Sequence, residues 1–525
     1  MRLRFSIIGL LGFTIGAGAL LPDGRSHANL PPTSTIPKLD GAALFSDKIR
    51  NGTVLPPYDT VYHFDQLIDH NNPSLGTFKQ RFWHTYEFYE PGGPIVFMTP
   101  GEVNAEGYTG YLSNSTINGL IAQQEKGAVV LLEHRFFGLS NPYPDLSGTS
   151  MSVHTIQQSI EDIDYFARNV ELPMPNGKSL DPDNAAWIMT GGSYPGALTS
   201  YTMVNKPGLI WAGYASSGPV QVMENFWVYF EPIRKNMPQN CSADVVAVIA
   251  HLDQVFSSTN TSAKQAIKDT FGMGSVQHDD DFLGALRNDL WAWQELQPTS
   301  GPGARFYNFC DALEVKNGMN APVSGWGLDH ALAAWGKHWR SGLASLCGRA
   351  TDEQCFDSYA ISAPNISIDQ PYRSWNWILC NEFGFSQSGP PATSPVPAIV
   401  SHLVVPEYDI RQCVSMYPDV FTTSTAPDFA ANTARTNQNY GGWNVKVNRL
   451  YFSNARRDTW KEGSVSAEAV NVSSTDSMPV YLSEGFHASD LLVRIAAANP
   501  SVAGAQREGL LAIKRWMEEW KQQRK

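Results

Sequence analysis

A serine hydroxyl attacks a carbonyl carbon only when a neighbouring imidazole takes its proton and a carboxylate fixes that imidazole. Three side chains of this 525-residue chain stand where such chemistry asks for them. Ser193 lies in Gly191-Gly192-Ser193-Tyr194-Pro195-Gly196, between an apolar run at 185–189 and helix-forming residues at 197–201. A strand, a glycine-flanked serine and a helix, in that order, make the sharp turn that lifts a nucleophile above a sheet. Glycines serve this turn because its backbone is strained and passes close to the helix. The usual G-x-S-x-G pattern breaks at its last place, where Pro195 stands and Gly196 follows one residue late.

The other two side chains come late in the chain. Segment 448–454 reads as a strand running toward Asp458, and 479–483 as the next strand, followed by His487. Both residues sit just past a strand end, where a sheet presents its chemistry. With only 12 histidines in the chain, one at this place is informative. The order Ser, Asp, His is that of α/β-hydrolases, so the expected fold class is α/β, an α/β-hydrolase. Asp490 is a rival acid, but the expected role for it is to cap a helix beginning at Leu491.

Together with Glu133-His134-Arg135-Phe136-Phe137-Gly138, these segments resemble serine peptidase family 28. That family contains lysosomal Pro-X carboxypeptidase, dipeptidyl peptidase II and secreted acid prolyl endoproteases of filamentous fungi. The resemblance runs from about Tyr62 to the C-terminus, and the segments Thr99-Pro100-Gly101-Glu102 and Leu379-Cys380-Asn381-Glu382-Phe383 look most like the fungal branch. It departs at Pro195, where the family has Gly or Ser, at Thr459 in place of Pro, and at Ala488 in place of a frequent fungal Cys. Proline fixes φ and removes a backbone donor, so the first departure bears most on the chemistry.

The chain is longer than one compact core, and the stretch between Ser193 and Asp458 is longer than a minimal hydrolase sheet needs. Residues 60–220 and 441–525 are expected to form the core. The segment 221–440 is expected as an inserted lobe, with helical patterns at 243–252 and 327–335; the resemblance implies a helical cap over the site. A basic start and an apolar stretch at 5–21 read as a signal peptide over 1–28, ending at Ser26-His27-Ala28. Residues 29–59 then form a leader or short pro-segment, and apolar positions spaced along 510–525 read as a final docked helix.

Six cysteines behind a secretion signal point to disulfides, and none has zinc-site spacing; no metal or cofactor is expected. Fifteen pairings are open. Proximity and the resemblance favour Cys241 with Cys310, Cys347 with Cys355, and Cys380 with Cys413. Asn51, Asn114, Asn240, Asn260, Asn365 and Asn471 begin glycosylation sequons. A net charge of −12 argues against nucleic acid and anionic membranes as partners, and suits work at acid pH. The expected partner is a peptide or protein substrate.

The mechanism expected is attack by Ser193, proton transfer by His487 and orientation by Asp458. The oxyanion would rest on the N–H of Tyr194 and of Gly101 or Glu102, which follow an apolar strand at 94–98. His134 is expected to be structural. Post-proline cleavage needs a stiff apolar slot. Trp460 and Phe385 fall where the family forms that slot, Ala197 lies where lysosomal-type members carry a bulkier Met, and Trp375 and Trp377 are lesser candidates. Glu102 and Glu382 suit a free amino terminus, and Arg456 and Arg457 a terminal carboxylate, so endo, dipeptidyl and carboxypeptidase modes stay open. An ester hydrolase with the same triad and an inactive secreted binding protein are the alternatives.

Overall fold

A computed structural model describes residues 25, 27–33, 36–41, 49–50, 53–359 and 365–524. Among these, the main sheet is built from β1 (Tyr62–Leu67), β2 (Thr77–Thr85), β3 (Ile95–Met98), β4 (Ala128–Leu132), β5 (Trp187–Gly192), β6 (Ala212–Ser216), β7 (Leu450–Ala455) and β8 (Val480–Ser483). Their spatial order is β8-β7-β6-β5-β3-β4-β2-β1. The pairings from β8 through β4 are parallel, while β2 is antiparallel to both β4 and β1. This mixed sheet, flanked by helices, is an α/β-hydrolase fold.

Its parallel strands are covered on both faces, which is why they read as apolar runs. In β3, Ile95 and Phe97 enter one core with Val130, Trp187 and Met189, while Val96 and Met98 enter the opposite core with Val129, Leu131 and Ile188. Alternate side chains point to opposite faces, so one short strand feeds two layers. Helix α1 (Ile117–Glu125) packs on the second face; α2 (Ile156–Asn169) and α3 (Tyr194–Asn205) pack on the first. Along α2, Ile156, Ile160, Ile163 and Phe166 recur at helical spacing and are buried, and Thr155 caps its start by accepting the Gln158 N–H.

Between β6 and β7 the chain is mostly helical, including α4 (Gln239–Phe256), α5 (Arg305–Glu314), α6 (Leu328–Cys347) and α7 (Phe429–Tyr440). Disulfides join Cys241 of α4 to Cys310 of α5, Cys347 to Cys355, and Cys380 to Cys413. The final helix α8 (Pro500–Gln523) lays Ile513, Trp516 and Met517 on the second face of the sheet. It starts well before the amphipathic stretch at 510, because Asn499 accepts the Ser501 and Val502 N–H groups and Pro500 enters at the first position.

The apolar N-terminal run and Asn51 lie outside the described residues. At the expected cleavage point the chain is buried: Ala28 N–H donates to Cys355 O at 2.8 Å, and Asn288 Nδ2 donates to Ala28 O at 2.8 Å. Asn29 Nδ2 donates to Phe356 O at 2.6 Å. Cleavage after Ala28 would cut this strap in two. Asn114, Asn260, Asn365 and Asn471 are exposed, and Asn240 is half-buried at the start of α4. Among the described residues no helix is long and apolar enough to cross a membrane.

Candidate active site

Ser193 bridges β5 and α3 with φ +62° and ψ −133°, a conformation a non-glycine residue rarely adopts. Close packing maintains it. A Cβ on Gly191 would fall 2.2 Å from Pro195 O, and one on Gly196 2.8 Å from Ser216 O, so both positions require glycine. Ser193 N–H donates to Ser216 O at the end of β6 (2.9 Å). Pro195 occupies the first turn of α3, where N–H groups have no intrahelical acceptor, so its ring replaces no hydrogen bond. The ring lies against the loop after β3: a Cβ on Gly101, which has φ +85°, would meet Pro195 Cγ at 2.5 Å.

Beyond the ends of β7 and β8, Asp458 and His487 meet. Asp458 Oδ1 lies 2.8 Å from His487 Nδ1 and also accepts the Trp460 N–H at 2.9 Å. The side chains are 1% and 2% exposed, and Ser193 is equally buried. A carboxylate only accepts, so this bond assigns the proton to Nδ1 and leaves Nε2 as the basic nitrogen. Ala488 N–H donates to Ser217 Oγ at 3.0 Å, one residue beyond the Ser216 that holds the serine turn. The turn and the histidine loop are therefore anchored on the same strand end.

Asp490 neither orients His487 nor caps a helix. Its carboxylate accepts from Tyr214 OH (2.7 Å) and Ser216 Oγ (2.6 Å), and the next helix begins only at Val493. The buried hydroxyls draw the side chain inward instead.

Aromatic rings gather beside Asp458. Trp460 packs at 5.1 Å from Phe385, 5.3 Å from Phe226 and 5.7 Å from Tyr229. Gln294 Oε1 accepts from both Trp460 Nε1 and Tyr229 OH, each at 2.9 Å. Ala197 is fully buried in α3. Trp375 lies 5.5 Å from Tyr194, whereas Trp377 packs away against Tyr417 and Phe421. Tyr194 OH donates to His134 Nε2 (2.8 Å), whose Nδ1 faces Arg135 O. Burial pulls the His134 imidazole down to about 4, so it stays a neutral acceptor for the tyrosine.

Residues 66–508 match the model of the serine carboxypeptidase S28 family. The chain belongs to this family. It is 34% identical over 485 residues to "Serine protease vicPa" of Bipolaris victoriae (strain FI3), a match covering 86% of this chain and 88% of the relative. It is 28% identical over 453 residues to "Probable extracellular serine carboxypeptidase" of Arthroderma benhamiae, covering 81% of this chain and 61% of that one. Among solved structures, an acetylester hydrolase from Corynebacterium glutamicum aligns over 87% of this chain and 95% of its own, with TM-score 0.34 and 10% identity.

In this S28 peptidase the charged residues weighed for substrate termini are already engaged or buried. Glu382 accepts the Ile156 N–H at the start of α2 (2.8 Å), and burial raises its carboxyl to about 7. Glu102 is 1% exposed, and burial raises it to about 8. Arg456 pairs with Glu484 at 2.8 Å, and Arg457 donates to Glu484 O at 2.6 Å. Sequence reasoning missed Ser217, Phe226, Tyr229, Gln294 and Gln297. Nothing in their local pattern distinguishes them, because they reach the site only through tertiary packing.

Proposed function

We propose that this chain is a secreted serine peptidase that cleaves on the carboxyl side of proline, in acid surroundings, through an acyl-enzyme. The observation that carries the reading is the buried Asp458–His487 hydrogen bond beyond the two strand ends, with Ser193 held at positive φ on the neighbouring turn. Ser193 Oγ attacks the carbonyl carbon while His487 Nε2 takes its proton, and Asp458 stabilises the imidazolium. Tyr194 N–H, one of the first-turn donors of α3 that helix geometry leaves open, and the N–H of Gly101 or Glu102 receive the oxyanion. His487 returns the proton to the leaving amine, and water then releases the acyl group along the reverse path.

Trp460, Phe385 and Phe226 form the flat wall for a pyrrolidine ring, with Ala197 leaving room behind it. Residues 60–220 and 441–525 act as the catalytic core and 221–440 as the cap. Exposed sequons, three disulfides and the apolar signal stretch at 5–21 fit secretion. Buried carboxyls that favour their protonated forms fit an acid medium.

Hydrolysis of matched proline peptides tests this reading: one blocked at both ends, one with a free amino terminus, one ending in Pro-X with a free carboxylate. Cleavage after proline that disappears in Ser193→Ala is expected, and the preferred peptide identifies the mode. Folded enzyme that cleaves acyl esters but none of the three peptides would refute it.

A further inference from the structure

A five-residue stretch of the helical lobe, 293–297, grips both loops that carry the acid and the base. Trp293 Nε1 donates to Arg457 O at 2.8 Å, one residue before Asp458. Gln294 Oε1 accepts from Trp460 Nε1, two residues after it. Gln297 Nε2 donates to His487 O at 2.8 Å, and Gln297 Oε1 accepts from Ser489 Oγ at 2.7 Å. The Gln297 backbone N–H donates to Ser300 Oγ (2.9 Å), which fixes where its side chain starts.

We infer that Gln297 is a positioning residue for the catalytic histidine, so that the lobe completes the base rather than merely covering it. The inference rests on the assignment of His487 as the base. The peptide unit between His487 and Ala488 has two polar groups, and each is held by a different part of the molecule. Its carbonyl is held by Gln297 from the lobe, and its N–H by Ser217 Oγ from the end of β6. That division matters because the loop, though held on either side by Phe486 N–H on Ser489 Oγ (2.9 Å) and Arg457 N–H on Gly485 O (3.2 Å), is strained at this peptide. It follows an edge strand of four residues, and Ala488 sits at φ +51°, where a residue with a Cβ is strained.

An amide suits this place because it offers a donor to the carbonyl and an acceptor to the serine hydroxyl at once. Without it the peptide unit keeps one tether and can rotate about the Ser217 bond. The imidazole turns with it, although the Asp458 contact persists. Misplacing a reacting group by about 1 Å costs on the order of 10²-fold in rate. Charged and titratable groups flanking the clamp are Glu295 and Arg305 on the lobe, Arg457 and Asp458 after β7, and Glu484 and His487 after β8.

The test uses the full-length enzyme, following turnover of a proline peptide and the rate of Ser193 modification by a fluorophosphonate from about pH 4 to 7. Gln297→Ala is expected to lower kcat and the labelling rate by about 10- to 100-fold, with KM changed less than about threefold. Gln297→Glu gives the readout that a packing role would not move. Its protonated carboxyl keeps one donor and one acceptor, whereas its ionised form keeps acceptors only and repels His487 O. Activity is therefore expected near wild type at the acid end, falling with one additional ionisation to the level of Gln297→Ala.

A folded Gln297→Ala enzyme with wild-type kcat and labelling rate would overturn the inference. So would a Gln297→Glu enzyme with an unchanged pH profile, and this variant decides the matter should Gln297→Ala not fold. Wild-type enzyme that takes no label at Ser193 would instead overturn the assignment of the triad itself.

Discussion

Asp458 uses one oxygen for two tasks, holding His487 Nδ1 and accepting the Trp460 N–H, so the carboxylate that we propose orients the base also fixes the start of the aromatic cluster. In Asp458→Asn the amide can present a donor to Nδ1, which favours the wrong imidazole tautomer. A loss of about 10³- to 10⁴-fold in kcat is expected, with the melting temperature nearly unchanged; steady-state kinetics beside thermal unfolding check this. Gly101 supplies a second residue-scale prediction. Gly101→Ala places a methyl 2.5 Å from the Pro195 ring at φ +85°, and should abolish activity. Adding Pro195→Gly removes the clash but not the φ strain, so partial recovery of turnover in the double variant is expected. The meeting of Asp458 with His487 was legible in the sequence because such chemistry admits few residue types and both residues follow strand ends. The contacts of Gln294 and Gln297 were not, since an amide in a mostly helical segment carries no local signature of what it touches after folding.

At the scale of elements, the break in the serine turn motif has a simple resolution. Helix α3 begins with Tyr194, and Pro195 takes a position whose N–H has no intrahelical acceptor. Pro195→Gly restores the G-x-S-x-G pattern of the serine turn and should keep kcat within a few fold. It should lower stability by roughly 0.4–1 kcal/mol through the freer unfolded chain, measurable by denaturant titration. Element types along the core were legible from periodicity, because the buried parallel strands form short apolar runs bounded by turn residues. Boundaries were less so. β5 continues through Gly191 and Gly192, which sequence reading assigns to the turn, since close approach to α3 and Leu491 favours glycine even within the ladder. The expected helix at Leu491 starts instead at Val493, because Asp490 is taken by Tyr214 and Ser216.

Across the whole molecule, buried titratable groups oppose one another. Burial raises Glu102 to about 8, Glu314 and Glu382 to about 7, and Asp281 to about 6. Their contribution to stability is full below their unfolded values and is lost as pH rises through the folded ones. Burial lowers His27, His84 and His134 to about 4, and His154 well below its ordinary value. Their contribution is full above about 6.5 and is lost as pH falls toward 4. The two sets counteract each other between about pH 4.5 and 6.5, and above that range only the carboxyl loss remains. The melting temperature is therefore expected to plateau in that window and fall toward pH 8. Glu314→Gln, in the helical segment between β6 and β7, should raise it more at pH 8 than at pH 5, because a neutral side chain removes first the buried charge and then its repulsion by Asp244.

The proposed catalysis requires Ser193 to be a nucleophile activated by His487. Modification of the folded protein by a fluorophosphonate, with the adduct located by peptide mass spectrometry, tests it most directly. A single adduct on Ser193 is expected, absent in Ser193→Ala and strongly slowed in a folded His487→Gln variant. An unmodified Ser193 in the folded wild-type protein, or labelling indifferent to the loss of His487, would contradict it.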